Sequence, residues 1–192
     1  MYRSQSYWLD SLRGSLEPRP ALSGGHTADV VIVGAGYTGL WTAYYLKTHA
    51  PHLDIAVLEG DIAGFGASGR NGGWCSAYLS GIDHWLDDPV SRKSAIELQR
   101  HMFAAVDEIG RVSCLENIEC DFDKSGHVSA AVNATQWQRE REAVDYWHTL
   151  GFSAEDIRLL DAEEVHARAH VHGAIGGAFM PHCAAIQPAA LA

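Results

Sequence analysis

Three features of this 192-residue chain predict an α/β fold. The β-branched run Val30-Val31-Ile32-Val33 leads into Gly34-Ala35-Gly36-Tyr37-Thr38-Gly39, and Leu40 to Leu46 then continues without Gly or Pro. A second apolar run, Ile55-Ala56-Val57-Leu58, ends in Glu59, 20 residues past Gly39. Later segments mix helical and strand periodicities, so a partial α+β lobe is expected after the first unit. The first two features describe a strand, a tight turn, a helix and a parallel strand, a Rossmann-like βαβ unit of the nucleotide-binding kind.

Each part of that unit has a physical reason. Gly34 allows the sharp exit from the strand, and Gly36 leaves the backbone open to a pyrophosphate at the positive end of the helix. Tyr37 and Thr38 supply the first N–H groups of that helix. Gly39 lets helix and strand lie close, and Ala43 continues the contact one turn later. Glu59 is placed to accept hydrogen bonds from both hydroxyls of an adenosine ribose, and its charge would repel a ribose phosphate. After Glu59 the chain does not proceed to a third strand pattern. It gives Gly60-Asp61-Ile62-Ala63-Gly64-Phe65-Gly66-Ala67-Ser68-Gly69-Arg70-Asn71-Gly72-Gly73, and nine of the 19 glycines lie between Gly34 and Gly73. Such a run can aim backbone N–H groups at an anion as a nest, with Ser68 and Arg70 as further donors.

The remaining elements follow in order. Residues 1–27 form an arm and linker, with a helical turn over Ser6 to Leu12 and with Tyr7 and Trp8 packing onto the body. Asp88 is expected to cap a helix, with Pro89 in its first turn. Ala95, Leu98, Met102, Ala105, Val106 and Ile109 would line that helix's inner face. Cys120-Asp121-Phe122 and His127 to Val132 flank Asp123-Lys124-Ser125-Gly126, which predicts a β-hairpin. Ala134 to Leu150 is a helix stopped by Gly151, with Trp137, Val144 and Trp147 on one stripe. Ser153 and Asp161 open capping boxes. Gly173 to Met180 reads as strand, and Gln187 to Ala192 as the opening of a helix with Pro188 near its first position. The domain reading is therefore arm 1–27, nucleotide-binding part 28–118, partial substrate lobe 119–180, and a return segment 181–192.

Composition narrows the partners. The formal charge of −10 and the lack of a basic run argue against nucleic acid and anionic membranes. No stretch has the length of a membrane span, and residues 1–8 lack a secretion-signal core. Cys75, Cys114, Cys120 and Cys183 form no C-x-x-C pair, so reduced thiols in a cytoplasmic protein are expected. His166, His170 and His172 match no zinc spacing, and no metal site is expected.

The stretches A-D-V-V-I-V-G-A-G-Y-T-G-L, V-L-E and G-F-G-A-S-G-R-N-G-G together resemble the D-amino-acid oxidase-type FAD-dependent oxidoreductases. Within them the chain is most similar to the amine-oxidising branch typified by γ-glutamylputrescine oxidase. The resemblance implies FAD as cofactor, held by Gly34, Gly36, Tyr37, Thr38, Gly39, Glu59, Gly66, Ser68, Arg70, Asn71 and Gly72. It implies oxidation of a primary or secondary amine to an imine: a hydride passes to the flavin, and oxygen then reoxidises it to give peroxide. Some relatives attach FAD through a histidine just after the glycine-rich loop. Trp74 and Cys75 stand there instead, which implies non-covalent flavin. No catalytic residue is assigned. The resemblance covers nearly all of this chain but about half of the family's length, so the chain is expected to be a truncated N-terminal half, with a complementary C-terminal half as a partner. An NAD-linked dehydrogenase is a competing reading that leaves Gly64 to Gly73 unexplained, and a non-catalytic remnant or nucleotide-binding module is another.

Overall fold

A computed structural model describes residues 2–192. The elements in order are α1 (Tyr7–Ser11), β1 (Val30–Val33), α2 (Tyr37–His49), β2 (Ile55–Leu58), β3 (Trp74–Ser76), α3 (Asp83–Asp87), α4 (Arg92–Leu115), β4 (His127–Ala131), α5 (Ala134–Thr149), β5 (Arg158–Asp161), α6 (Ala162–Ala169), β6 (Gly176–Met180), β7 (Cys183–Ala185) and α7 (Pro188–Leu191). They form two compact units: Met1–Gly73 with Glu116–Asp121 and Ile186–Ala192, and Trp74–Leu115 with Phe122–Ala185. This partition differs from the expected division at 118/119, because β3, α3 and α4 cluster with the second unit.

In the first unit β1 and β2 pair in parallel from Val30↔Ile55 to Val33↔Leu58, as the two apolar runs predict. Gly34 N–H extends the ladder to Leu58 O at 2.7 Å before the chain turns into α2. Lys47 and His49 lie in the last turn of α2, where positive charge suits the carbonyl end, and Lys47 Nζ also donates to Pro51 O and Leu53 O. Ile32 faces α2, whereas Val31 and Val33 face away and are exposed, Val33 at 85%.

The N-terminal arm packs within this unit. Ser6 caps α1 by accepting from Leu9 N–H, and Leu9 is 1% exposed in a cluster with Ile62 and Ala189, bordered by Trp8 and Phe65. Tyr7, expected to pack, is instead 73% exposed: on a helix of five residues, turning Leu9 inward turns Tyr7 out. Arg3 donates to the carbonyls of Asp10, Leu12 and Gly14, groups the end of α1 leaves without helical partners. Gln187 caps α7 by accepting from Ala189 and Ala190 N–H, and its amide donates to Trp8 O at 2.7 Å.

The second unit contains a three-stranded antiparallel sheet of order β4-β6-β5 and a separate β3-β7 pair. Helix α6 packs on β6 where a Cβ on Gly177 would lie 3.1 Å from Val165 and 2.4 Å from Ser129 O. Phe103, Val106, Val144, Phe152, Ile157, Ala178, Met180 and Cys183 make its core. Burying the larger of these side chains is worth about 1.5–3 kcal/mol each. The Asp161 capping box is present, with Glu164 answering it, and Gly151 follows α5 at φ +85°.

Three expectations are corrected here. No hairpin forms at 120–132: β4 pairs with β6, and Asp123 instead bridges Ala185. Asp121 turns the chain at φ 51°, and a five-residue register with β6 outweighs a local turn. Helix α4 begins at Arg92, not beside Asp88, whose carboxylate holds a preceding turn through Val90 N–H and Ser91 Oγ. Its inner face is Ala95, Gln99, Phe103, Val106, Val112 and Ser113, leaving Leu98 47% exposed and Ala105 exposed.

Candidate dinucleotide-binding site

The site is built in the first unit where β1 turns into α2. Gly34 sits at φ +100°, in the range that favours glycine. A Cβ on Gly39 would stand 2.0 Å from Gly34 O and 3.2 Å from Ile32 Cγ2, so only glycine permits this approach of helix to strand. Gly36 is the N-cap of α2 in an extended conformation and gives no side-chain cap. Tyr37 N–H donates to Ser68 Oγ at 3.0 Å, and Leu40 N–H to Gly36 O at 3.0 Å. The N–H groups of Thr38 and Gly39, in the first turn, have no acceptor within the helix. They mark the end of α2 as a place for negative charge.

Glu59 leaves β2 beside this turn. Its Oε2 accepts from Ala35 N–H at 2.8 Å, and its Oε1 from Gly60 N–H at 2.8 Å and Asp61 N–H at 3.3 Å. A carboxylate offers about four lone-pair positions, so one on Oε2 is left for a ligand hydroxyl. The expected contact with both ribose hydroxyls would therefore require one of these N–H groups to let go. The Ala35 N–H bond is the main cause that holds the Glu59 carboxyl below its ordinary range, with desolvation opposing and the Gly60 and Asp61 bonds adding. A lowered carboxyl contributes stability above the ordinary value of 4.5 and loses it as pH falls through the lowered one. Glu59→Gln is therefore expected to have a lower urea midpoint than the wild type at neutral pH, with the gap closing in acid. A gap of equal size at both pH values would separate Glu59's charge from the turn.

The glycine-rich segment folds back on itself rather than standing open as a nest throughout. Gly64 N–H bonds Ala35 O at 2.8 Å, and Gly69 N–H bonds Gly64 O at 2.8 Å. Ala67–Gly69 forms one 3-10 turn. Asn71 is occupied internally, donating to Ser68 O and accepting from Gly73 N–H at 2.8 Å each. Arg70 lies over the Phe65 ring at 4.9 Å and donates to Gly66 O. Ser68 Oγ fills the space beside Gly36, 2.9 Å from where a Cβ there would be. A Cβ at Gly66 or Gly72 would meet nothing within 4 Å, so packing within the chain does not require glycine at either. Sequence reasoning did not foresee the role of Ala35, whose N–H and C=O tie the turn to Glu59 and Gly64; a backbone role carries no side-chain signal. It also missed the Tyr37 hydroxyl, which donates to Pro188 O at 2.8 Å.

A parallel βαβ turn with these glycines and an acid ending its second strand defines a dinucleotide-binding unit of the Rossmann type. The chain belongs to the FAD dependent oxidoreductase family (DAO), whose model matches residues 29–192. It is 33% identical over 163 residues to gamma-glutamylputrescine oxidoreductase of Escherichia coli, covering 84% of this chain and 37% of that protein. It is 29% identical over 185 residues to the probable oxidoreductase OrdL of Haemophilus influenzae, covering 96% and 42%. The fold is shared with an L-amino acid deaminase from Proteus myxofaciens, at a TM-score of 0.67 and 18% identity over 93% of this chain and 37% of that one. The chain thus spans roughly two fifths of the length of the curated relatives it matches. Among the described residues no helix is long and apolar enough to cross a membrane, and no group of three His, Cys, Asp or Glu could hold a metal ion.

Proposed function

We propose that this chain supplies the adenosine and pyrophosphate anchors of a flavoenzyme that oxidises a primary or secondary amine to an imine with oxygen as acceptor. The observation that carries the reading is the return of the 60–73 loop onto the α2 N-terminus, where Ser68 meets Tyr37 N–H and Gly64 meets Ala35 O. A dinucleotide fits this arrangement: the first turn of α2 offers N–H groups to the pyrophosphate, and Glu59 offers a lone pair to the ribose. Ser68 accepts from Tyr37 N–H, so its own O–H is left to donate to a phosphate oxygen. Gly66 and Gly72 leave the backbone open to close approach, and Arg70 adds positive charge beside them. FAD when bound supplies the two-electron acceptor that amine oxidation needs. The flavin is held non-covalently, because Trp74 and Cys75 follow the loop and Cys75 packs against the core of its unit. The four cysteines form no disulfide, in keeping with the cytoplasm as the compartment. The substrate is a small amine, the class to which the name of the Escherichia coli relative points.

Titrating the chain with FAD, FMN and NAD tests the cofactor. FAD should bind most tightly, since FMN lacks the adenosine that Glu59 would anchor. Equal affinity for FMN would remove the adenosine site, and preference for NAD would overturn the flavin assignment. Peroxide release by the complete flavoenzyme that contains this chain, with γ-glutamylputrescine, glycine and sarcosine, tests the amine; turnover of alcohols alone would overturn it.

A further inference from the structure

We propose that the N-terminal arm positions the donors for the cofactor's pyrophosphate: Tyr2, acting through Phe65, sets the Arg70 guanidinium. The assignment rests on the flavoenzyme reading above and brings into the site a segment from outside the βαβ unit. The arm meets the 60–73 loop at its start, its middle and its end. At the start, the Tyr2 hydroxyl donates to Asp61 Oδ1 at 3.1 Å, and Leu9 packs in one cluster with Ile62. In the middle, the Tyr2 and Phe65 rings lie 5.7 Å apart at 82°, an edge-to-face pair. At the end, a Cβ on Gly73 would stand 2.9 Å from Cζ2 and Cη2 of Trp8, and Gly73 turns at φ +70°. All of these residues belong to the first unit.

The loop has need of such a brace. Six of the fourteen residues 60–73 are glycine, the residue that loses most conformational freedom on ordering. The segment contains no strand and a single 3-10 turn, so no ladder of strand bonds fixes it. A ligand that had to order this loop would bind more weakly than one that finds it already held. The arm is itself braced, since Arg3 donates to the carbonyls of Asp10, Leu12 and Gly14, and Gln187 donates to Trp8 O. Phe65 then connects the arm to a charge. Arg70 Cζ lies 4.9 Å from the centre of its ring, and Arg70 Nε donates to Gly66 O at 3.3 Å. Among the described residues the two terminal nitrogens of Arg70 have no hydrogen-bond partner, so they are left to donate to phosphate oxygens. The Phe65 ring is the platform for those donors, and Tyr2 holds the ring. Tyr2 is thus a positioning residue, two contacts removed from the ligand.

The test is a calorimetric titration of the flavin-free chain with ADP and with adenosine, which carries no phosphate. Tyr2→Ala and Phe65→Leu should each weaken ADP about fivefold, the size of one partly exposed cation–aromatic contact, and leave adenosine unchanged. Tyr2→Phe keeps the ring and should retain most of the ADP affinity. Gln5→Ala, at an exposed arm residue, should change neither ligand. In an Arg70→Gln background Tyr2→Ala should have no further effect, because both substitutions remove the same contact with the phosphates. A loss shared equally by adenosine and ADP, an unchanged ADP affinity, or a full second loss in the Arg70→Gln background would overturn the proposal. If Tyr2→Ala and Phe65→Leu do not fold, the wild type decides. By linkage ADP should then slow hydrogen exchange at Leu9 N–H more than adenosine does, and equal exchange with both would overturn the proposal. ADP binding that the arm variants leave intact defeats the arm alone. A wild type that binds neither ADP nor adenosine defeats the flavoenzyme reading and the arm's role with it.

Discussion

Gly39→Ala is expected to destabilise the chain by about 2–4 kcal/mol, although helix propensity alone would favour alanine by about 1 kcal/mol. Gly39 lies in the first turn of α2, and the added Cβ would stand 2.0 Å from Gly34 O and 3.2 Å from Gly34 C. That neighbour is backbone, fixed by Gly34 N–H to Leu58 O, so no side chain can swing aside. The strain is relieved only by lifting α2 from β1, which also moves the N–H groups that face the ligand. Urea unfolding followed by circular dichroism measures the effect. A Gly39→Ala chain as stable as the wild type would refute the close helix–strand contact.

Gly36→Val should do the opposite, keeping the fold and abolishing cofactor affinity. Gly36 has φ −85° and ψ −178°, an extended conformation that valine adopts readily. The only close neighbour of a new Cβ is the Ser68 hydroxyl at 2.9 Å, the end of a side chain that can rotate. The isopropyl group would then cover the first N–H groups of α2. Losing two charge-assisted hydrogen bonds at about 1.5–3 kcal/mol each weakens FAD by roughly a hundredfold or more. A folded variant with unchanged FAD affinity would take the pyrophosphate away from this turn.

The βαβ unit was legible because its signals are local. A β-branched run, three glycines at fixed spacing and an acid 20 residues on are each dictated by a contact within a few residues or by one ligand. Gly151 as the stop of α5 and the Asp161 capping box of α6 were legible for the same reason. The phase of α4 was not. Its apolar residues suggested a stripe through Leu98 and Ala105, yet Gln99 is fully buried because its amide donates to Ala77 O at 2.7 Å. Phe103 turns inward to stack on His182 at 3.8 Å, a partner 79 positions later in the sequence. The strand partner of β4 was hidden likewise, since β6 lies about 50 residues downstream and no local pattern announces a long-range register. In the site, the types of the side chains could be read, but not that Asn71 would brace its own loop or that Glu59 would grip Ala35.

The broken course of the first unit through the sequence also has a temporal consequence. Leu9 and Ile62 share a cluster with Ala189, and Gln187 ties the arm to α7. A ribosome that has released residues 1–73 has therefore not yet released the residues that close this cluster. Trp74–Leu115 and Phe122–Ala185, the whole of the second unit, emerge in between, and that unit can consolidate first. The nascent first unit must hold its apolar arm and glycine-rich loop unsealed until residues 186–192 follow. Translation speed across that interval, and any chaperone that shields Leu9 and Ile62 meanwhile, should govern how much of the protein reaches its folded state.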